Sequence, residues 1–409
     1  MASFDDLSDA ELIAAVASVV RIPRTKPADS FVLHAPLELA ARAALLPRVA
    51  PSERVAARAQ IAAIATGFEA FGPAAPAPRD CTFDSLADGA TRLADSIAAG
   101  DLDEVDAVAA WLGRHARNDD LAPLLADSIV PSLAAAAHGS IFLFQMPRVA
   151  PRGELTGELL RPLAREVARN SDWQLRWFRD REPAGTSPSA GPGEALFSAL
   201  QATPRLGVPG SDFIYPLMSQ VEREGVAARL LSEVTTLEVG AAARVTLRAA
   251  ALSMLQEPGD HAAYGWSHCL TMPQAVLGIA RWCADPTTAI AVAATYVAGF
   301  RAALAVRPLE ARWVPDDPGI SVGAALEIDP GQARAAVWHA PVEQLGAIVT
   351  LLATRAATHH DAHLVKYTLA CLDAAYAHPE DARLYLSAAA SLHGWWIEHD
   401  LTSAALTSA

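Results

Sequence analysis

Apolar residues recur every three or four positions along most of the chain. Between Asp9 and Val20, for example, apolar side chains keep this period until Pro23 and Pro27 break it. Such spacing is typical of amphipathic helices whose apolar face packs on a core. It predicts helices over residues 9–20, 31–46, 52–71, 85–99, 102–115, from 131 onward, 155–181, 197–208, 213–237, 238–256, 264–284, 287–306, 341–357, 358–379 and 383–399.

The pattern predicts an all-α fold. Residues 240–248 could also form a strand, but helix is favoured there too, and no convincing strand alternation, phosphate-binding glycine loop or fixed repeat appears. Length alone would allow two or three domains. Because no linker is long enough to separate them, we expect a multi-helix bundle with one continuous core and a single domain, 1–409. Residues 182–195 are rich in Gly, Pro and Ser and predict a lid or insertion, and 308–330 form the longest irregular segment.

Composition narrows the class of protein. The 409 residues are 52% hydrophobic and carry a net charge of −14, which disfavours a nucleic-acid partner because phosphate would be repelled. Four scattered cysteines without a CxxC pair fit a reducing compartment. The acidic first residues lack a signal-peptide pattern, and the most apolar run, 289–306, is more typical of a buried helix than of a membrane span. We therefore expect a soluble cytoplasmic protein without a membrane partner.

Histidines concentrate in one predicted helix, residues 358–379, which begins THHDAHLVK. Thr358 is predicted to cap it, with Asp361 three residues later where a capping-box acid belongs. At about 100° per residue, His363 and Lys366 share one face of this helix. A lysine ammonium cannot bind a metal, so Lys366 is either exposed or ion-paired, a buried neutral amine, or a carbamate that offers an oxygen ligand. The simplest alternative is a polar first turn with solvated histidines.

Three further histidines have apolar or small neighbours. His34 is predicted near the start of its helix, with Pro36 at an early helical position. His138 follows four alanines inside the helix that begins at Pro131, and His268 lies in an aromatic helix that Pro273 should kink. A lone buried histidine is more often structural than a ligand. The three histidines and the His-x-x-Lys pair together, however, are typical of metal sites that inward-facing side chains build in helical bundles. The HExxH and ExxH patterns of known metal sites are absent.

The segments that carry these histidines resemble the questin oxidase-like family, helical oxygenases that act on aromatic polyketides and related compounds. The segments are FVLHAPLELAA, AAAHGSIFLF, YGWSHCLT and HDAHLVKYTLACLDAA. The resemblance implies a non-haem Fe(II) site. Its implied ligands are His34, His138, His268, His363 and the carbamate of Lys366. His360 is a further candidate, as a ligand or as support for one, and Asp361 is expected to orient an imidazole through its second nitrogen.

The resemblance also implies a reaction. Five protein ligands would leave one octahedral position for dioxygen, with His363, Lys366 and Asp361 as the catalytic group. The implied activity is oxidative ring cleavage or Baeyer–Villiger-type oxygen insertion on an aromatic or quinone-type natural-product intermediate, with NADPH as a candidate reductant. Candidate substrate walls, for which ordinary core packing is an equal explanation, are the aromatic residues Phe142, Phe144, Tyr264 and Trp266.

Two other functions fit the same residues. A non-catalytic helical binding or scaffold protein would need only structural histidines, and the alanine-rich helices are compatible with it. A zinc-dependent hydrolase would use some of the same imidazoles. Metal content separates the three, because only the oxygenase requires iron.

Overall fold

The computed structural model describes residues 7–149, 159–178, 193–201 and 214–407. Across these ranges the backbone forms nineteen α-helices, and its two antiparallel bridges, Arg24–Ala74 and Ser132–Gln174, are isolated. The predicted all-α fold is therefore confirmed. The helices are α1 (Asp9–Val20), α2 (Ser30–Leu45), α3 (Arg54–Ala70), α4 (Leu86–Ala99), α5 (Leu102–His115), α6 (Asn118–Ile129), α7 (Gly139–Val149), α8 (Leu160–Ala168), α9 (Glu194–Gln201), α10 (Ile214–Arg223), α11 (Val226–Val234), α12 (Val239–Gln256), α13 (Ser267–Ile279), α14 (Pro286–Leu304), α15 (Val322–Ala325), α16 (Pro330–His339), α17 (Leu345–Thr358), α18 (Ala362–Ala377) and α19 (Ala382–Thr407).

Four helices form a closed ring at the centre of the described fold. Helix α2 packs on α7, α7 on α13, α13 on α18, and α18 back on α2. The buried guanidinium of Arg42 holds this ring in place, since it donates to Glu38 within α2 and to the carbonyl oxygens of Ala357 and His359, each at 2.7 Å. Helix α2 is thereby fixed against the chain that leads into α18.

The remaining helices enclose the ring. Helix α14 packs on α11, α12 and α13, and α19 packs on α12, α16 and α18. By length and composition α14 could cross a membrane, but 89% of it is buried inside the fold. Its apolar surface is thus used in packing against neighbouring helices. One cluster of buried apolar side chains extends along the chain from Leu12 to Trp396.

Helix ends follow their capping residues. The Ser8–Glu11 capping box starts α1, and the carboxylate of Asp29 accepts the Val32 N–H to start α2. Pro36 was predicted at an early position of its helix. That prediction is wrong, because α2 begins at Ser30 and Pro36 is its seventh residue. The bounds predicted for α1 and α5 are confirmed, and residues 240–248 are helical within α12.

Several predicted helices differ from the structure. The helix expected from Pro131 is wrong, because α7 begins only at Gly139. Of the predicted helix 155–181, the described residues 159–178 contain one α-helix, Leu160–Ala168, and Trp173 and Trp177 lie beyond its end. Gly225, with φ of +69°, separates α10 from α11. Three helices that no prediction covered are α6, α15 and α16.

Each of the two segments predicted to be irregular contains part of a helix. Of the predicted lid, 182–195, residues 182–192 lie outside the described ranges, and α9 begins at Glu194. Residues 308–330 are irregular as expected, apart from the one-turn helix α15.

Candidate metal centre

Each helix of the central ring brings one histidine to a common point. His34 lies in α2, His138 directly precedes α7, His268 lies in α13 and His363 in α18. The ring centroids of His34 lie 4.8 Å from those of His138 and 4.5 Å from those of His363. The His268 ring lies 5.3 Å from the His138 ring and 5.1 Å from the His363 ring. Four side chains distant in sequence therefore form one cluster.

His138 reaches the cluster from a left-handed turn. Ala135, Ala136 and Ala137 all have positive φ, between 50° and 57°. The turn directs its carbonyl oxygens at His138, whose Nδ1 donates to Ala135 O at 3.0 Å and to Ala136 O at 2.8 Å. The Nε2 lone pair is then free to bind, and it lies 3.0 Å from the Nε2 of His34. Two nitrogens bound at right angles and ~2.1 Å from one metal ion would be ~3.0 Å apart.

We expect the left-handed turn to be strained by its alanines. A left-handed L-residue costs roughly 1–2 kcal/mol, and glycine avoids that cost. Ala136→Gly should therefore raise the free energy of unfolding by about 0.5–1 kcal/mol in urea titrations, whereas Ala136→Val should lower it by a similar amount or more. Ala134, two residues earlier with ordinary extended backbone, is the matched control: Ala134→Gly should destabilise. Equal effects of glycine at both positions would contradict the strain.

His268 and His363 each have an oxygen close to Nδ1. His268 Nδ1 donates to the Tyr264 carbonyl oxygen at 2.7 Å, whereas His363 Nδ1 lies 3.3 Å from Asp361 Oδ1 without hydrogen-bond geometry. A metal-binding imidazole usually has such a partner on its other nitrogen. One ligand nitrogen from each of His34, His268 and His363 lies within 4.8 Å of the other two. These three histidines are therefore arranged as a set of nitrogen ligands, and His138 adjoins them through its contact with His34.

Asp361, and not Thr358, caps α18. Its carboxylate accepts the N–H groups of His363 at 2.7 Å and Leu364 at 3.3 Å, while Thr358 ends α17. The prediction placed the helix start three residues too early because His359 to Asp361 leave the helical conformation between α17 and α18. Burial tends to raise the pKa of Asp361, but its bonds to His363 and Leu364 lower it overall. Asp361 thus both starts the helix and orients His363.

Lys366 is buried beside the four imidazoles. Its Nζ has no hydrogen-bond partner among the described residues. Burial lowers the pKa of Lys366 to about 7, against a smaller opposing effect of Asp361 and Glu38. Burial, and then the charge of Lys366, also lower the pKa of His34, His138 and His363. An exposed or ion-paired lysine is therefore ruled out, and the neutral amine or its carbamate fits the site.

The imidazoles face a cavity of about 950 Å³. All four histidines line it, and Lys366 does not. Of the predicted substrate walls, Tyr264 lies there, 54% exposed, with its ring at right angles to that of His363 and 4.8 Å away. The other three do not line this cavity: Phe142 and Trp266 are buried, and Phe144 packs beneath Arg148.

Several cavity residues were missed by the sequence reasoning. Trp173 and Tyr215 stack with centroids 4.6 Å apart and planes within 5°. The cavity also has polar groups: Glu166, whose carboxylate accepts the Ala28 N–H at 3.2 Å and an Arg169 N–H at 3.2 Å, has a pKa raised by burial. One usable signal was helical spacing, because Tyr264 and Met272 lie four residues before and after His268 and both line the cavity.

His360, the further ligand candidate, belongs to a different group near the surface. It lies with His359 and Asp400, and its ring is 5.8 Å from that of Trp396. His359 Nδ1 accepts the Asp361 N–H at 3.0 Å, so its Nε2 carries the proton and donates to Asp400 at 3.2 Å. This group therefore supports the start of α18 from outside, while the four other histidines face the cavity.

No family model, curated protein or solved structure matches this chain. The similarity to the questin oxidase-like family stays a prediction from the motifs.

Proposed function

We propose that the chain is a non-haem iron oxygenase of the questin oxidase-like type. The observation that carries the proposal is the cluster of four imidazole rings, together with one buried, unpartnered lysine, beside a large cavity. His34, His138, His268 and His363 would hold Fe(II), and Lys366 would contribute an oxygen as its carbamate. Bound iron supplies one-electron and dioxygen chemistry.

The residues of the chain have separate tasks in this proposal. Asp361 and the Tyr264 carbonyl keep the imidazoles of His363 and His268 turned towards the metal position. The cavity holds an aromatic or quinone-type substrate beside it, with the Tyr264 ring and the Trp173–Tyr215 stack offering flat faces. A volume of about 950 Å³ lies in the range that small-molecule sites use and has room for several fused rings.

The two alternatives account for fewer of these features. A scaffold protein gains nothing from a buried lysine without a partner, since such a group costs stability. A zinc hydrolase site normally has three protein ligands and one water, and structural zinc has four. Four imidazoles and a lysine exceed both numbers and are better suited to octahedral iron.

Oxygen uptake tests the proposed activity. Iron-loaded protein should consume dioxygen with a panel of hydroxylated polycyclic quinones but not with esters or peptides. Ring cleavage by a dioxygenase incorporates both oxygen atoms and needs no reductant. Baeyer–Villiger insertion incorporates one, and the other leaves as water at the expense of one NADPH. Hydrolysis of esters by zinc-loaded protein without oxygen uptake would favour the hydrolase instead.

A further inference from the structure

A second, much smaller void adjoins Lys366. It has a volume of about 10 Å³, close to the smallest space that holds one water molecule. Aliphatic side chains such as Leu37 and Ile141 form part of its wall, and its polar lining is Gln145, Thr271, Gln274 and Lys366. None of these four polar residues lines the large cavity. Lys366 therefore lines a separate pocket, while its charge lowers the pKa of the cluster histidines.

Two polar groups at this void lack partners. Gln274 Nε2 donates to the Ala370 carbonyl oxygen at 3.0 Å, and the Thr271 hydroxyl donates to Ser267 O at 3.0 Å. By contrast, Gln145 Oε1 and Lys366 Nζ are both buried without a hydrogen bond in the described part of the chain. Buried polar groups are rarely left unpaired, because each costs about 1–3 kcal/mol. Both residues line a void with room for one more polar atom.

We propose that Gln145 is the residue that positions the carbamate of Lys366. This inference rests on the proposed function, which requires that carbamate. The neutral amine of Lys366 adds to carbon dioxide: an N–C bond forms, one C–O double bond opens onto oxygen, and the nitrogen releases a proton to solvent. One carbamate oxygen then faces the imidazoles and the other enters the void beside Gln145.

The Gln145 amide has the right chemistry for that second oxygen. A half-turn of the amide exchanges its oxygen and NH₂ positions without changing its shape, so the NH₂ group can donate to the carbamate. A hydrogen bond to a buried anion is among the stronger ones in proteins. The carbamate forms reversibly. Loss of the hydrogen bond from Gln145 should therefore raise the concentration of carbon dioxide that is needed to modify Lys366.

Carbon-13 NMR measures the carbamate directly. Full-length protein is loaded with zinc, which is diamagnetic and also binds imidazole, in buffer containing ¹³C-bicarbonate. The wild type should give one carbamate signal that Lys366→Ala abolishes. Gln145→Leu and Gln145→Met should need at least about tenfold more bicarbonate for half the signal, the factor expected for one charge-assisted hydrogen bond. Circular dichroism selects whichever of the two variants is folded.

Gln174→Leu is the matched control, because Gln174 also has a buried amide oxygen without a partner but does not line the void. Gln174→Leu should need the same bicarbonate concentration as the wild type for half of the carbamate signal. A Lys366-dependent signal with the same bicarbonate requirement in Gln145→Leu and Gln145→Met would overturn this inference and leave the proposed function standing. A wild type without any Lys366-dependent signal would overturn both.

Discussion

Lys366→Met protein should retain less than a tenth of the wild-type metal and yet be more stable when metal-free. Methionine fills a similar volume but removes a buried amine that has no partner, which should raise the free energy of unfolding by about 1–3 kcal/mol. It also removes the only oxygen ligand of the proposed site, and even residues that merely orient ligands are worth about 10–100-fold in metal affinity. Elemental analysis and urea unfolding of the same samples measure the two effects.

Metal content and stability should change in opposite directions, which separates a structural role of Lys366 from a role in metal binding. A lysine kept for structure would lose stability on replacement, whereas a lysine kept for metal binding loses metal and gains stability. Lys366→Ala should likewise lose metal, although with a cavity in the core. His359→Ala is the control, because His359 belongs to the separate surface group and should leave metal content nearly unchanged. Equal metal occupancy in Lys366→Ala and His359→Ala would rule out a ligand role for Lys366.

Leu33→Trp should abolish turnover of polycyclic substrates while leaving the metal in place. Leu33 is half-buried, lies next to His34 in α2 and lines the large cavity, so an indole there would occupy substrate space. Because the change removes no ligand, iron content should match the wild type. Oxygen uptake with a polycyclic quinone should fall by at least about 100-fold, as expected when a bound ring system loses its productive position.

Leu86→Trp is the corresponding control, since Leu86 is also a half-buried leucine but lies at the start of α4, away from the cavity. It should keep both iron and oxygen uptake. Wild-type turnover by Leu33→Trp would show that the substrate binds elsewhere.

The sequence predicted helices better than it predicted how they meet. The helical period located α1 and α5 to the residue, and in the structure each begins at a side-chain cap, Ser8 and Asp101. The left-handed turn before α7 could not be predicted, because a run of alanines has high helix propensity and nothing local opposes it. Tertiary contacts override that propensity: Ser132 pairs with Gln174 in an antiparallel bridge, and the Leu133 N–H donates to the Trp173 carbonyl oxygen at 2.8 Å.

Local patterns also limited which residues of the candidate site could be predicted. The motif around His363 indicated the lysine and the histidine correctly as neighbours in one cluster, because both lie on one face of α18. Phe142 follows His138 by four residues and donates its N–H to the His138 carbonyl oxygen at 2.9 Å, yet its side chain is buried and does not line the cavity. Trp266 lies two residues before His268, which turns it about 200° away, whereas Tyr264 at four residues shares the side of His268. Cavity walls from other helices, such as Trp173, depend on packing that no local pattern records.

The central claim is that one iron ion is held by five side chains at the centre of the helical ring. Diffraction data collected on both sides of the iron absorption edge, from crystals of iron-loaded protein, test it most directly. We expect a single anomalous peak about 2.1 Å from the Nε2 atoms of His34, His138, His268 and His363, with density for a carbamate on Lys366. A peak beside His359 and Asp400 instead, or no peak among the four imidazoles, would contradict the account.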